Sequence, residues 1–124
     1  MKALLLDTIN KSTRVVNPES LEDYYNLIGC NWVEIVTRRI GRKYYDVICD
    51  EEGTFVDDPL ISAIDDIGRV MFVGNLIICG QVNEDGENTD LTANDIRYIK
   101  KRIQPMYTIK HQDEQLLMLT NCNY

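Results

Sequence analysis

The sequence predicts a single α+β domain with an antiparallel β-sheet core and two or three short helices. Three observations indicate this class. Short segments rich in β-branched and aromatic residues recur, amphipathic segments with helical spacing interrupt them, and no linker, repeat or low-complexity stretch divides the 124 residues. A chain of this length suits one domain with one substantial core. We therefore expect residues 1–124 to fold together.

The first elements are predicted to be a hairpin and a short helix. Residues 2–8 and 12–16 are strand-like and flank a Thr-Ile-Asn-Lys turn. Asn17–Pro18 resembles a helix start, with a capping residue followed by proline in the first helical position. Apolar residues recur at helical spacing within Leu21–Ile28, and Gly29 suits the end of this helix.

The middle of the chain predicts a second hairpin and one long strand. Trp32–Thr37 and Tyr44–Cys49 are rich in β-branched and aromatic residues, and basic residues lie between them. Asp57–Asp66 is expected to be irregular or a short helix. Met71–Cys79 is the most apolar strand, and we interpret its Gly74–Asn75 step as a bulge in one continuous strand rather than a turn.

The last third predicts an acidic loop, a capped helix and short end segments. Residues 83–90 are acidic and are expected to be exposed. Thr92 and the aspartate three residues later resemble a capping box, and Pro105 is expected to end the helix that follows. Met106–Ile109 is a candidate strand, and Leu116–Leu119 is a candidate short helix.

Composition argues against several functional classes. The formal net charge of −7 repels a polyanion, so polymeric nucleic acid is not an expected partner. The longest apolar runs, Ala3–Leu6 and Leu76–Cys79, are too short to span a membrane, and the N-terminus lacks the pattern of a signal peptide. The four cysteines are far apart and the chain has one histidine. We therefore expect reduced thiols, a cytoplasmic location, and no metal or cofactor.

An unusual concentration of positive charge lies in the second hairpin. Four of the thirteen basic residues fall within six positions: Arg38, Arg39, Arg42 and Lys43. Such a cluster in an acidic chain favours contact with an anion or an acidic surface. Because side chains alternate along a strand, the four are expected to divide into two pairs on opposite faces. One arginine pair suits a diphosphate, since guanidinium groups bind phosphate oxygens bidentately.

A second basic cluster lies on the last predicted helix. It comprises Arg97, Lys100, Lys101 and Arg102. The helix dipole accounts for the last three without any ligand, but not for Arg97 in the first turn. Aromatic rings and polar side chains elsewhere offer stacking and base-edge contacts. The candidate ligand-binding residues are Arg38, Arg39, Arg42, Phe72, Asn75, Asp90, Arg97 and Lys101.

No catalytic constellation is recognisable. His111 lies in a polar segment that favours an exposed imidazole, and the sequence contains no glycine-rich phosphate loop or nucleophile motif. Acidic groups at Asp50–Glu52, Asp57–Asp58 and Asp65–Asp66 are more typical of solvated turns than of a divalent-cation site. We therefore expect a binding protein rather than an enzyme. A metal-dependent nucleotide hydrolase is the weaker alternative.

Four segments carry a family resemblance: Met1–Asp7, Tyr45–Gly53, Val73–Ile78, and Leu91-Thr92 with Asp95-Ile96. In this order and spacing they resemble a family of small proteins from phages, prophages and clostridial genomes that is described as a domain of unknown function. The resemblance covers residues 1–103 as a core and leaves residues 104–124 as a C-terminal extension.

Within that group, the chain is similar to the phage anti-Thoeris sponges. These proteins bind the cyclic ADP-ribose isomer made by the bacterial Thoeris immune system and sequester it without cleaving it. The resemblance implies an antiparallel sheet with helices, a homodimer or higher homo-oligomer, and a ligand pocket recessed at the subunit interface. We therefore expect a phage-encoded immune-evasion protein in the cytoplasm of the infected host cell.

Two functional models follow from the sequence. In the first, the basic side chains hold the diphosphate of a cyclic nucleotide, Phe72 or a tyrosine stacks on its adenine, and Asn75 or Asp90 bonds to base or ribose. In the alternative, the acidic stretches at residues 50–58 and 84–90 dock on a basic surface of a host defence protein and inhibit it.

Overall fold

The computed structural model of the protein describes residues 1–53 and 58–124, and these residues form an α+β fold, as the sequence predicts. They contain two helices and ten strands. The helices are α1 (Leu21–Ile28) and α2 (Ala93–Lys100). The strands are β1 (Ala3–Asp7), β2 (Ser12–Val16), β3 (Val33–Ile40), β4 (Lys43–Asp50), β5 (Ile61–Ile64), β6 (Val70–Val73), β7 (Leu76–Cys79), β8 (Ile103–Met106), β9 (Leu116–Leu119) and β10 (Cys122–Asn123).

The strands form two sheets. The large sheet has six strands in the order β10-β3-β4-β7-β1-β2, and each neighbouring pair is antiparallel. The small sheet has four strands in the order β6-β5-β9-β8. Its β5–β9 pair is parallel, whereas its other two pairs are antiparallel. The segment after residue 104 therefore contributes a strand to each sheet.

Both faces of the large sheet are covered. On one face, α1 packs over a small cluster of buried side chains that includes Leu5 and Ile28. On the other face, the small sheet and α2 close a larger core that includes Leu6, Phe72 and Ile99. Neighbouring leucines on β1 point to opposite faces and are both buried, which explains why this strand is a continuous apolar run.

Helix α1 begins later than the sequence predicts. Its N-cap is Ser20, whose hydroxyl accepts a hydrogen bond from the backbone N–H of Asp23 at 3.2 Å. The predicted start at Asn17–Pro18 is wrong, because the serine offers an oxygen that satisfies one of the free N–H groups of the first turn. The predicted end is confirmed, since Gly29 adopts the left-handed conformation with φ of 79°.

The Gly74–Asn75 step connects the two sheets and is not a bulge. The predicted strand Met71–Cys79 divides into β6 of the small sheet and β7 of the large sheet. Gly74 has φ of 77°, and its N–H donates to the carbonyl oxygen of Leu60 at 2.8 Å. Both halves are apolar, because β7 is fully buried and β6 places Phe72 in the core, so hydropathy alone does not reveal the change of sheet.

Four further boundaries differ from the prediction. The candidate strand Met106–Ile109 is wrong, because the strand in this region is Ile103–Met106 (β8). The segment Asp57–Asp66 contains strand β5, although Asp57 itself lies outside the described residues. Leu116–Leu119 is an interior strand of the small sheet rather than a helix. Helix α2 ends at Lys100, and Pro105 lies in β8 at the edge of the small sheet. An edge strand tolerates proline because the missing N–H is not needed on the unpaired side.

Three cysteines lie in the core. Cys49, Cys79 and Cys122 are buried, and burial raises the pKa of each thiol to about 12. Cys30 is half-buried and, like the others, forms no disulfide. Neither described helix has the length and apolarity needed to cross a membrane.

Candidate functional site

The tip of the β3–β4 hairpin carries the first part of the candidate site. Ile40 and Lys43 are the last paired residues of the two strands, so Gly41 and Arg42 form a two-residue turn. Gly41 has φ of 64°, which glycine adopts without strain and which such turns require. The predicted hairpin is confirmed, and the turn leaves the Arg42 side chain exposed.

Helix α2 holds this turn in place. The backbone N–H of Arg42 donates to the hydroxyl oxygen of Tyr98 at 2.7 Å. The Arg102 guanidinium lies 4.0 Å from the centre of the Tyr98 ring and donates to the Tyr98 carbonyl oxygen at 2.9 Å. A Cβ at Gly41 would lie 2.5 Å from Arg102 Nε and from Tyr98 Oη. The close approach of turn and helix therefore depends on the absence of a side chain at this position.

We call the residues gathered here the tip surface, which comprises Arg42, Lys43, Tyr98 and Arg102. The ammonium group of Lys43 lies 5.2 Å from the centre of the Tyr98 ring. Two cations thus contact one ring, whose electron-rich face offsets part of their mutual repulsion. The basic turn and the basic helix, separate in sequence, form one positively charged surface.

Asp95 is the carboxylate that pairs with the tip surface among the described residues. Its Oδ1 lies 3.8 Å from Lys43 Nζ and accepts a hydrogen bond from the Tyr45 hydroxyl at 2.8 Å, while its Oδ2 accepts one from the Thr92 N–H at 3.0 Å. Burial acts to raise the pKa of Asp95, but the hydrogen bonds from Thr92 and Tyr45 outweigh it, so the pKa is lowered. Burial, together with the bond to Asp95, raises the pKa of Tyr45. Three cations against one carboxylate leave the tip surface positive.

Arg97 and Lys101 extend this positive surface along α2. They lie one helical turn apart and are exposed. Arg97 lies in the last turn of the helix, so its predicted place in the first turn is wrong and the helix dipole accounts for it as well. Its guanidinium donates to the side-chain oxygen of Asn94, and Lys101 is the C-cap of the helix. Two predicted site residues are therefore adjacent in sequence to the tip surface, and Arg42 belongs to it.

Arg38 and Phe72 meet in a different place, between the two sheets. The Arg38 guanidinium carbon lies 5.5 Å from the centre of the Phe72 ring and 4.6 Å from that of Tyr124. Its Nε is buried and has no hydrogen-bond partner among the described residues. A cavity of about 220 Å³ adjoins it, lined also by Glu34 and Met71. Ligand pockets usually measure about 300–1,000 Å³, so this cavity suits only part of a nucleotide.

Asn75 and Asp90 lie apart from both places, whereas the Arg39 guanidinium donates to the carbonyl oxygen of Gly41 in the hairpin turn at 2.9 Å. Arg39 is on the opposite face of β3 from its neighbour Arg38, as strand alternation predicts. Asn75 is buried, and its side-chain oxygen accepts hydrogen bonds from the N–H and hydroxyl of Thr8 at 2.8 and 2.9 Å. Asp90 accepts a hydrogen bond from the N–H of Lys2 at 2.7 Å. The polar groups of Asn75 and Asp90 thus support the fold, and contact of either residue with a base or ribose stays a prediction.

Tyr98 and Arg102 join the site through contacts that sequence reasoning did not identify. In the sequence, the helix dipole is sufficient to account for Arg102, and Tyr98 is one of several tyrosines that offer a ring. The available signal was their spacing of four residues, which places both side chains on one face of the helix. That spacing does not reveal that Gly41 packs against the same face.

The described residues form no recognisable metal centre. Within residues 1–53 and 58–124, no three histidine, cysteine, aspartate or glutamate side chains are gathered in an arrangement that suits a metal ion. The exposed imidazole predicted for His111 is wrong, because its side chain is 14% exposed and its Nε2 lies 3.1 Å from an oxygen of Asp58.

Comparison with known proteins identifies a family. Residues 1–104 match the model of a family described as Domain of unknown function (DUF3846). The match spans most of the 124 residues, so the chain belongs to this family. No curated protein and no solved structure matches it.

Proposed function

We propose that this member of the DUF3846 family binds a small anionic nucleotide of the cyclic ADP-ribose type and sequesters it without cleaving it. One observation supports the proposal most directly. The hairpin turn and helix α2 bring Arg42, Lys43 and Arg102 onto one surface, where Asp95 offsets only part of their charge. In a chain of net charge −7, such a local surface suits a compact anion better than a polymer.

In this proposal the tip surface holds the diphosphate. Arg42 contributes its whole guanidinium, because it uses only its backbone N–H to bond Tyr98. Arg102 is less free, since one of its nitrogens already donates to a carbonyl oxygen. Lys101 and Arg97 add positive charge along the helix and raise the local concentration of the anion.

The base is assigned to the cavity beside Arg38. Along a strand, the three residues from Arg38 to the turn span roughly 10 Å, which a nucleotide can bridge. Phe72 lines this cavity and offers the ring for stacking. The cavity is small, so a second subunit that completes it is part of the proposal.

Binding without cleavage is consistent with the chemistry of the side chains nearby. The thiols of Cys49 and Cys122 have pKa values raised to about 12 by burial, so they are not thiolate nucleophiles at neutral pH. Sequestration requires slow release, which arginine contacts and burial of the base provide. The resemblance to the anti-Thoeris sponges supports a phage or prophage origin and a role in evading that immune system.

Isothermal titration calorimetry with cyclic ADP-ribose and its isomers tests the proposal. We expect sub-micromolar binding of at least one isomer, and mass spectrometry after heating should recover the ligand intact. Arg42→Ala should weaken binding by about tenfold, because it deletes a charge-assisted contact and keeps the backbone bond to Tyr98. Arg14→Ala, which removes the same charge from exposed β2, is the matched control and should leave binding unchanged.

Two results would contradict the proposal. The first is the absence of binding heat with every isomer, and the second is recovery of a cleaved ligand. If Arg42→Ala and Arg14→Ala weaken binding equally, the affinity depends on the overall charge of the protein rather than on the tip surface.

The loop at residues 83–90 supports a second candidate function. Its acidic side chains are exposed, and the turn is held by its own backbone hydrogen bonds, including that of Asn83 N–H to Glu87 at 2.8 Å. A basic surface of a host protein fits such a loop. Charge reversal at Glu84 and Asp85 would abolish this activity and leave nucleotide binding intact.

A further inference from the structure

The cavity beside Arg38 is lined by more hydrogen-bond acceptors than donors. Its carboxylates belong to Glu34, Asp50 and Glu51, whereas Arg38 is the cation among its described lining residues. The remaining walls are mostly apolar and include the ring of Phe72. A carboxylate accepts hydrogen bonds and donates none. A base that enters this cavity therefore meets lone pairs on most of its polar lining.

Glu34 and Arg38 do not neutralise each other. They lie four residues apart on β3, on the same face of the sheet, so their Cα atoms are separated by roughly 13 Å. Within residues 1–53 and 58–124, no ion pair joins the two side chains. The cavity thus has a positive group at one place and a negative group at another, and a ligand contacts each of them separately.

Cys49 positions the Glu34 carboxylate. Its Sγ lies opposite Glu34 in the β3–β4 pair and donates a weak hydrogen bond to Glu34 Oε1 at 3.8 Å. Burial raises the pKa of this thiol to about 12, so the thiol keeps its proton at neutral pH. One oxygen of the Glu34 carboxylate therefore has a donor within the protein, and the other is left to accept a hydrogen bond from a ligand.

The other two carboxylates are less suited to read a base. Asp50 Oδ1 already accepts a hydrogen bond from the Glu52 N–H at 2.9 Å. Glu51 lies in the exposed turn after β4. Glu34 lies within a strand, and side chains on regular elements are held more precisely than those on loops. Glu34 is therefore the acceptor whose position the sheet determines.

We infer that this cavity selects a base with an exocyclic amino group, and that Glu34 accepts a hydrogen bond from that amine. This inference rests on the proposed function, in which a base enters the cavity. An amino group donates hydrogen bonds, which suits a lining rich in acceptors. A carbonyl oxygen in its place would set its lone pairs against those of the carboxylate. Adenine fits this lining, and hypoxanthine, which has the carbonyl oxygen, does not.

The same charges orient the ligand. The carboxylates around the cavity repel a phosphate group, whereas the tip surface, roughly 10 Å from Arg38 along β3, attracts it. The base carries no negative charge and enters the cavity without this repulsion. The cavity therefore disfavours the reversed ligand, which would place its diphosphate beside Phe72.

Isothermal titration calorimetry with matched pairs of ligands tests the inference. Each cyclic ADP-ribose isomer is compared with its analogue in which hypoxanthine replaces adenine, so both members of a pair share the diphosphate and the riboses. We expect the adenine member to bind about tenfold more tightly. A closed hydrogen-bonding site discriminates more strongly, but Glu34 is also exposed to solvent.

Glu34→Gln tests the role of the carboxylate. The amide keeps an oxygen that accepts from an amine and adds an N–H that donates to a carbonyl oxygen, so the ratio of the two affinities should fall to about one. Glu22→Gln makes the same charge change at an exposed position of α1 and should keep the wild-type ratio. Arg42→Ala should weaken both members by a similar factor, because the diphosphate is common to them.

The outcomes separate this inference from the proposed function. Equal affinity of the wild-type protein for both members of a pair, or an unchanged ratio in Glu34→Gln, would overturn the inference and leave the proposed function in place. Binding of no isomer would contradict the proposed function and this inference with it. Circular dichroism of Glu34→Gln should match the wild-type spectrum, so a changed ratio reports recognition of the base rather than unfolding.

Discussion

The backbone N–H of Arg42 donates to the hydroxyl of Tyr98 across 2.7 Å and joins residues that are 56 positions apart. A neutral hydrogen bond therefore sets a basic turn against a basic helix, where the like charges by themselves would repel. The cations are already positioned in the folded protein, so ligand binding does not include the free-energy cost of bringing them together.

Tyr98→Phe should distinguish the contribution of this hydrogen bond from that of the aromatic ring. The variant keeps the contacts of Arg102 and Lys43 with an aromatic face but leaves the Arg42 N–H without its acceptor. We expect the free energy of unfolding to fall by about 1 kcal/mol in urea denaturation, with weaker nucleotide binding in calorimetry. Tyr107→Phe, at an exposed tyrosine, is the control and should change neither quantity. Unchanged affinity in Tyr98→Phe would show that the bond does not position the site.

Gly41→Ala should show how much stability depends on the close packing of the hairpin turn against α2. The new Cβ would meet Arg102 and Tyr98, whereas a Cβ at Gly86 meets nothing within 4 Å. Both glycines have positive φ, 64° and 77°, so the strain of about 1–2 kcal/mol from the left-handed conformation is common to both variants. We expect Gly41→Ala to lower Tm further than Gly86→Ala. If the two variants lower Tm equally, α2 moves away from the new Cβ at position 41 without a loss of stability.

Asn75→Leu should lower stability, because the Asn75 side chain makes three hydrogen bonds within the fold. The substitution removes the acceptor of two Thr8 hydrogen bonds and the donor to the Leu27 carbonyl oxygen, at 3.2 Å, in a buried place. Unsatisfied buried groups cost about 1–3 kcal/mol each, so we expect a loss of about 3 kcal/mol in unfolding free energy. Asn26→Leu, on the exposed side of α1, is the control. If the Asn75→Leu variant is as stable as the wild-type protein but no longer binds nucleotide, the role of Asn75 is instead to contact the base.

Stability should decline in alkaline solution. The buried thiols of Cys49, Cys79 and Cys122 have pKa values raised from 9.0 to about 12, because burial disfavours the thiolate. A thiol in the unfolded chain ionises near its ordinary pKa of 9.0, so the stabilisation is complete below pH 9 and is lost as the pH rises toward 12. Tyr45, whose pKa is also raised, acts in the same direction. Urea midpoints at pH 8 to 11 measure the decline, and a flat profile would contradict it.

Local signals predicted the features that single elements determine. The hairpin around Gly41, the left-handed Gly29 and the capping box at Thr92 are all present, because each depends on neighbours within a few residues. Wrong boundaries arose where an alternative local partner existed. Ser20 replaced Asn17 as the N-cap, since either side chain is able to accept from a helix N–H.

Long-range pairing accounts for the errors in the sheet. Leu116–Leu119 is too short for periodicity to distinguish strand from helix, and its place inside the small sheet depends on β5 and β8. The sequence predicts a bulge at Gly74 because apolar residues lie on both sides of it. Because the two sheets pack against each other, the chain passes from the small sheet to the large sheet at Gly74.

For the basic hairpin, residue order alone establishes that four cations concentrate in an acidic chain and that strand alternation divides them between faces. Which of them meet other groups depends on how the elements pack. This packing set Arg42 and Lys43 against Tyr98 and Arg102, and it placed the Arg38 guanidinium against the rings of Phe72 and Tyr124. The physical reason is that charge and side-chain direction are properties of one strand, whereas the partner of each side chain depends on which distant segments pack together.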